Sequence, residues 1–224
     1  MNFNRDILPF IPLAVLFIAA VVSLRSFKNN FPYYLKAFSV YWCFVFLVDV
    51  TGHILIRANI TNSNHWLYNT GQMITALFMP WFYFQVIGAG KHKLLLNGLL
   101  LVISLALLAN TLFLQTLLKL QTNTFAFTGF IVVSLAAVYF WQLSRSEENF
   151  VLIRDPLFWI NLGLLFYYAA TAPFLGMLNY VYNHYPKFTG LYFKIVAYGF
   201  SIFLNLCIII GFLCRNSHQK SPSS

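Results

Sequence analysis

Leu94-Leu95-Leu96-Asn97-Gly98-Leu99-Leu100-Leu101-Val102-Ile103-Ser104-Leu105-Ala106-Leu107-Leu108-Ala109-Asn110-Thr111-Leu112-Phe113-Leu114 contains no charged side chain. About 20 residues of this kind, rising 1.5 Å each as a helix, cross a hydrocarbon core of ~30 Å. A helix this apolar along its whole length has no polar face to turn to water, so lipid is its solvent. Six further segments read the same way: Ile7–Leu24, Tyr34–Ile56, Trp66–Ile87, Thr124–Leu143, Pro156–Leu178 and Leu191–Leu213. The expectation is therefore an all-α, polytopic integral membrane protein, a bundle of seven transmembrane helices in one domain over residues 1–214.

Composition points the same way. Of 224 residues, 60% are hydrophobic and 8% charged, against roughly 25% charged in a soluble domain. The mean hydropathy is +0.72. The 25 Phe, 13 Tyr and 5 Trp suit helix interfaces and the headgroup level. The net charge of +9 does not imply nucleic acid, because the basic residues are scattered singly and form no stripe that could follow a phosphate backbone. Cys43, Cys207 and Cys214 lie in or at the end of apolar runs with no CxxC and no Cys/His ligand spacing, so they read as small buried thiols. The first apolar run has Asp6 beside Arg5 and is followed by Arg25 and Lys28 rather than a small-residue cleavage site, which reads as a retained span.

The connections are short and polar: Arg25–Pro32, Arg57–His65, Gly88–Lys93, Ser144–Asp155 and Asn183–Gly190. Residues 215–224 read as a disordered cytoplasmic tail. Lysine and arginine set the orientation. With the N-terminus outside and the C-terminus inside, the inner segments hold Arg25, Lys28, Lys36, Lys91, Lys93, Arg145, Arg154, Arg215 and Lys220. The outer segments then hold the remaining Arg5, Arg57, Lys119, Lys187 and Lys194. Pro80 and Pro173 fall inside the third and sixth spans, where each removes a backbone hydrogen bond and favours a kink. No internal repeat supports an inverted-repeat transporter.

Polar groups in lipid are costly, so they carry the functional information. Asp49 is the one acid well inside a span, roughly 12 Å from the outer end of the second helix at 1.5 Å per residue. His53, four residues later, shares its face. Asn69, Gln72, Asn179 and Lys194 occupy the outer halves of other spans, and His65 and His184 lie in outer loops. Three readings of Asp49 stay open: a structural ion pair with Lys194 or His53, part of an outward-facing ligand pocket, or a proton or cation carrier. A metal held by Asp49, His53, His65 and His184 is a weaker reading, since there is no HxxxH or HExxH and zinc needs convergent ligands. Seven-span zinc hydrolases of the ceramidase and adiponectin-receptor group carry a histidine pair on the last helix, and here that helix has none. A retinal protein needs a lysine in the middle of the seventh span and an acid on the third, and both are missing.

The inner half has single asparagines, Asn97, Asn161 and Asn205, of the kind that hydrogen-bond between membrane helices. Arg145, Glu147, Glu148 and Arg154 form a charged inner loop that reads as solvated or as a docking point for a cytoplasmic partner. Asn59-Ile60-Thr61 matches the glycosylation sequon, relevant only in a eukaryotic secretory pathway. There is no phosphate loop, no GxSxG and no carboxylate pair in a pocket, so the sequence leans against an enzyme and implies no cofactor.

Two stretches, Asn64-His65-Trp66-Leu67-Tyr68-Asn69 and Arg154-Asp155-Pro156-Leu157-Phe158-Trp159-Ile160-Asn161-Leu162-Gly163, resemble small uncharacterised seven-span membrane proteins of Bacteroidetes-type bacteria. That group has no established activity; the resemblance implies a bacterial inner membrane and carries over no functional residue. Physically, Asp155-Pro156 is a good helix start, with Asp capping free N–H groups and Pro fitting the first turn. Trp66 and Trp159 suit opposite membrane interfaces. The functional expectation is a receptor-like or sensory subunit with an outward-facing polar site, signalling through a cytoplasmic partner. A small transporter or proton-coupled carrier is the alternative, followed by an intramembrane metal-dependent enzyme or a structural subunit.

Overall fold

The structure, a computed structural model, describes residues 10–29, 31–61, 63–87, 93–117, 119–145, 152–177, 184 and 193–214, with the backbone alone for 93 and 193–195. Among these residues there is no strand, and seven helices follow one another. α1 covers Phe10–Lys28, interrupted at Leu24. α2 is Tyr33–Arg57 and α3 is His65–Val86. α4 is Lys93–Ala109 with a π-helical end, Asn110–Leu114. α5 is Thr122–Ser144 and α6 is Pro156–Gly176. α7 opens as a π-helical segment, Phe193–Tyr198, and continues as Gly199–Leu213.

Six of the seven are long and apolar enough to cross a membrane, and the chain is an integral membrane protein. The remaining helix, α3, has 22 residues but is less apolar. Its position explains this. α3 packs on α2, α4 and α5, and it buries Asn69 and Thr75 together with Met79, Phe82 and Tyr83. These two polar side chains face protein rather than lipid, where they cost less.

Packing follows a ring. α1 lies against α2, α2 against α3, α3 against α5, α5 against α6, α6 against α7, and α7 returns to α1. α4 stands outside the ring on α3. Only Ile103 and Leu107 of its apolar side chains are buried, while Leu94, Leu101, Leu105 and Phe113 are exposed, as a lipid-facing helix requires. Close approach within the ring depends on small residues. A Cβ on Gly129 of α5 would collide with the Ala172 methyl of α6, and one on Gly163 of α6 would lie 2.9 Å from the Cys207 Cβ of α7.

Local sequence sets the helix ends. α2 stops in a Schellman motif: Ile60 N–H reaches Leu55 O at 3.1 Å and Asn59 N–H reaches Ile56 O at 3.2 Å. Asn59 sits at φ 54°, a region that asparagine tolerates better than most residues. α6 starts as its sequence predicts, with Leu157 N–H donating to Asp155 Oδ1 at 2.9 Å and Pro156 in the first turn. Pro80 and Pro173 lie inside continuous helices. Arg57 stacks on the Phe10 ring at 4.1 Å, and Arg145 on the Trp141 ring at 4.3 Å, at opposite ends of the bundle.

Candidate functional site

The ring encloses a cavity of about 550 Å³ at the end where α1 begins and α3 and α5 start. That volume lies within the range of small-molecule pockets, ~300–1,000 Å³. α1, α2, α3, α5, α6 and α7 all contribute to its wall. The cavity gathers six of the residues singled out in the sequence: Asp49, His53, His65, Asn69, Gln72 and Asn205. The backbone of Lys194 lies in the π-helical opening of α7, two residues before Val196, the first of the α7 residues that line the cavity; its side chain is outside the described set. Asn179 falls outside the described residues, as do Glu147 and Glu148. His184 is exposed and is not a lining residue.

Asp49 projects from the third quarter of α2. Its Oδ1 accepts a hydrogen bond from the Tyr68 hydroxyl of α3 at 2.9 Å. His53, one turn on, uses Nδ1 to donate to the Asp49 backbone carbonyl at 2.9 Å. The same nitrogen stands 3.7 Å from Asp49 Oδ1, too far for a hydrogen bond. The side chains of Asp49 and His53 keep 29% and 31% of their surface exposed, so the pair faces open space rather than packed protein. Asn64, at the start of α3, donates to Gly52 O at 3.2 Å and ties the ends of α2 and α3 together beside the cavity.

Asn69 has a different role. Its Nδ2 donates to Leu117 O at 2.9 Å and to Lys119 O at 2.8 Å, and its Oδ1 accepts from Gln121 N at 3.0 Å. The amide is spent on three backbone groups of the α4–α5 connection. A polar clasp continues from it. Gln121 donates to Gln115 O at 2.7 Å and to Thr111 Oγ1 at 3.2 Å, Gln115 donates to Thr122 Oγ1 at 3.1 Å, and Asn110 donates to Thr124 Oγ1 at 3.0 Å. These bonds hold the π turn that closes α4 against the start of α5. Gln72 contrasts with Asn69: its Nε2 is buried at the cavity wall and has no hydrogen-bond partner.

Sequence reasoning missed Tyr41, Trp42, Tyr68 and Tyr167, all of which line the cavity. Tyrosine and tryptophan count as hydrophobic when spans are located, which hides their polar tips. Here the Tyr41 hydroxyl meets Thr75 Oγ1 at 2.9 Å, and Trp42 Nε1 donates to Asn205 Oδ1 at 3.1 Å. The Trp42–Asn205 bond marks the floor. Beyond it Phe38, Phe82, Ile160, Ile208 and Phe212 are buried, and Phe38 has ring neighbours Phe82 at 5.0 Å, Trp42 at 5.5 Å and Phe212 at 6.3 Å.

The other acid of interest is Asp155, at the opposite end. It is only 8% exposed, and besides capping α6 it accepts from the Tyr139 hydroxyl at 3.2 Å. The more deeply buried carboxylate is thus at the end opposite the cavity. Arg145 and Arg154, the docking candidates, are exposed at that same end. Among the described residues no group of three or more His, Cys, Asp or Glu side chains converges to hold a metal ion.

What the site offers chemically is a carboxylate, imidazoles and aromatic walls around a space large enough for a small molecule. Comparison with protein-family models, with curated proteins and with solved structures finds no match to this chain.

Proposed function

We propose that this protein is a receptor-like or sensory membrane subunit that binds a small molecule in the cavity around Asp49. One observation carries the reading: a cavity of about 550 Å³, lined by residues of six helices, lies inside the ring and ends on a packed floor. A ligand there touches α1, α2, α3, α5, α6 and α7 at once, so its binding energy can shift the balance between two arrangements of the ring. In this reading the cavity end faces outward and the membrane is a bacterial inner membrane. The opposite end, with exposed Arg145 and Arg154, engages a cytoplasmic partner.

The test uses the full chain in its own membrane, with a photo-crosslinking residue at Arg154. Ser201→Phe, which projects a ring into the cavity from a lining position, is compared with the parent. A crosslinked partner whose yield changes on filling the cavity supports the reading; an identical pattern in both chains overturns it. Orientation is read separately. Ser63→Cys reacts with a membrane-impermeant thiol reagent added outside intact cells, and Ser144→Cys does not.

The carrier reading has one supporting feature. Asn161 Oδ1 and the Tyr83 hydroxyl are buried without hydrogen-bond partners in the half beyond the floor, where a polar path would run. A carrier moves solute across proteoliposomes, and flux lost in Ser201→Phe would replace the sensory reading.

A further inference from the structure

We infer that the cavity is built for an amine or other organic cation, with Asp49 as its counter-ion. This rests on the cavity being a ligand site. The first support is the state of the carboxylate. Asp49 accepts one hydrogen bond, from Tyr68, and remains partly open to the cavity. Its nearest basic group, His53, has committed its Nδ1 hydrogen to a backbone carbonyl and stands 3.7 Å from the carboxylate, within ion-pair range but beyond hydrogen-bonding distance. No lysine or arginine side chain lines the cavity among the described residues. An acid held at membrane depth calls for a positive partner, and a cationic ligand can be one.

The second support is the wall. The hydroxyl of Tyr41 is tied to Thr75 and the indole N–H of Trp42 to Asn205. Both rings line the cavity, with one face of Tyr41 against Phe78 and one face of Trp42 against Phe38, and the ring surface left at the wall attracts cations through its quadrupole. Tyr167 lines the same cavity. A neutral apolar ligand would be served by the rings but not by the acid, and an anion would meet the acid as a like charge. The expected ligand is thus a cation with an aromatic or aliphatic body.

The test uses the full chain in nanodiscs with three probes of one shape: 2-phenylethylamine, 2-phenylethanol and 3-phenylpropionate. Saturable shifts in melting temperature and tryptophan fluorescence give each half-saturating concentration. The amine should bind at least about ten-fold more tightly than the alcohol or the acid, as expected for a charge-assisted contact. Asp49→Asn should erase that advantage and leave the alcohol within about two-fold of its parent value. Equal binding of all three, tighter binding of the acid, no saturable binding by any, or an advantage that survives Asp49→Asn overturns the cation assignment. Ser201→Phe separates this failure from that of the cavity reading. If it abolishes binding of whichever probe is bound, the cavity remains the ligand site though the cation does not. If it leaves every bound probe unaffected, the cavity is not where ligands go.

Discussion

The two ends of the ring fill their interior in opposite ways. At the far end, Phe38, Phe82, Tyr83, Ile160, Ile208 and Phe212 are each 0% or 1% exposed and interlock as rings and branched side chains. Small residues assist: the hydroxyls of Ser26 and Ser39 meet at 2.9 Å between α1 and α2, and Ser39 also donates to Ser23 O at 2.8 Å. At the cavity end the same six helices enclose about 550 Å³. There the frame is polar, made of the Asn69 and Gln121 bonds and the Asn64 tie. The difference assigns stability to one end and adaptability to the other. In lipid, helix association depends on packing and interhelical hydrogen bonds rather than on apolar transfer, so a cavity is affordable only where hydrogen bonds hold its walls.

The largest effect should come from emptying the packed end. Phe38→Ala removes the ring at the centre of the aromatic layer and should cost about 3–5 kcal/mol, read as a loss of stability in denaturant titration of the protein in bicelles. Phe44→Ala, at a cavity-lining position, should cost less than half as much, because its ring already borders open space. Equal losses would mean that the two ends do not differ mechanically.

Next comes the frame of the cavity. Asn69→Leu orphans two carbonyls and one N–H of the α4–α5 connection and should cost about 2–4 kcal/mol. Amide hydrogen exchange should rise first around residues 115–124, ahead of the packed end. If exchange rises evenly over the bundle, the clasp is not a separate frame.

A smaller effect is expected from the far-end acid. Asp155→Ala removes the α6 cap and the partner of the Tyr139 hydroxyl, and should cost about 1–2 kcal/mol. Asp155→Asn, itself a good cap, should recover most of that loss.

Much of this layout is legible in the chain. Runs such as Leu94–Leu114 and Thr124–Leu143 locate helices because lipid imposes one rule on every spanning segment. Asp155-Pro156 announces the start of α6 because capping is local. Asp49 and His53 stand out because a polar pair one turn apart in an apolar run needs a reason. What the chain hides is pairwise. Nothing local shows that Asn69 is spent on Leu117, Lys119 and Gln121 whereas Gln72, three residues on, keeps a free N–H. Nor does α4, whose run from Leu94 to Leu114 is no more apolar than the first and last spans, announce that it stands outside the ring. Tyr68 and Trp42 belong to the site by their polar tips, and a count of apolar residues enters them on the wrong side.

The smallest stability effect separates the readings of Asp49 that the sequence leaves open. Asp49→Asn keeps the side-chain volume and leaves an Oδ1 that can accept from Tyr68. The position is 29% exposed, so no buried group is orphaned, and the cost should stay within about 0.5 kcal/mol. A structural ion pair predicts otherwise. Removing one partner of a buried pair strands the other charge and costs ~3–5 kcal/mol. If Asp49→Asn destabilises on that scale, and Asp49→Asn with Lys194→Gln recovers the loss while Asp49→Asn with His53→Gln does not, Asp49 is a packing device paired with Lys194. A near-silent Asp49→Asn, beside a costly Phe38→Ala, places the carboxylate where the comparison of the two ends puts it: in the part of the molecule free to serve a ligand because the fold does not depend on it.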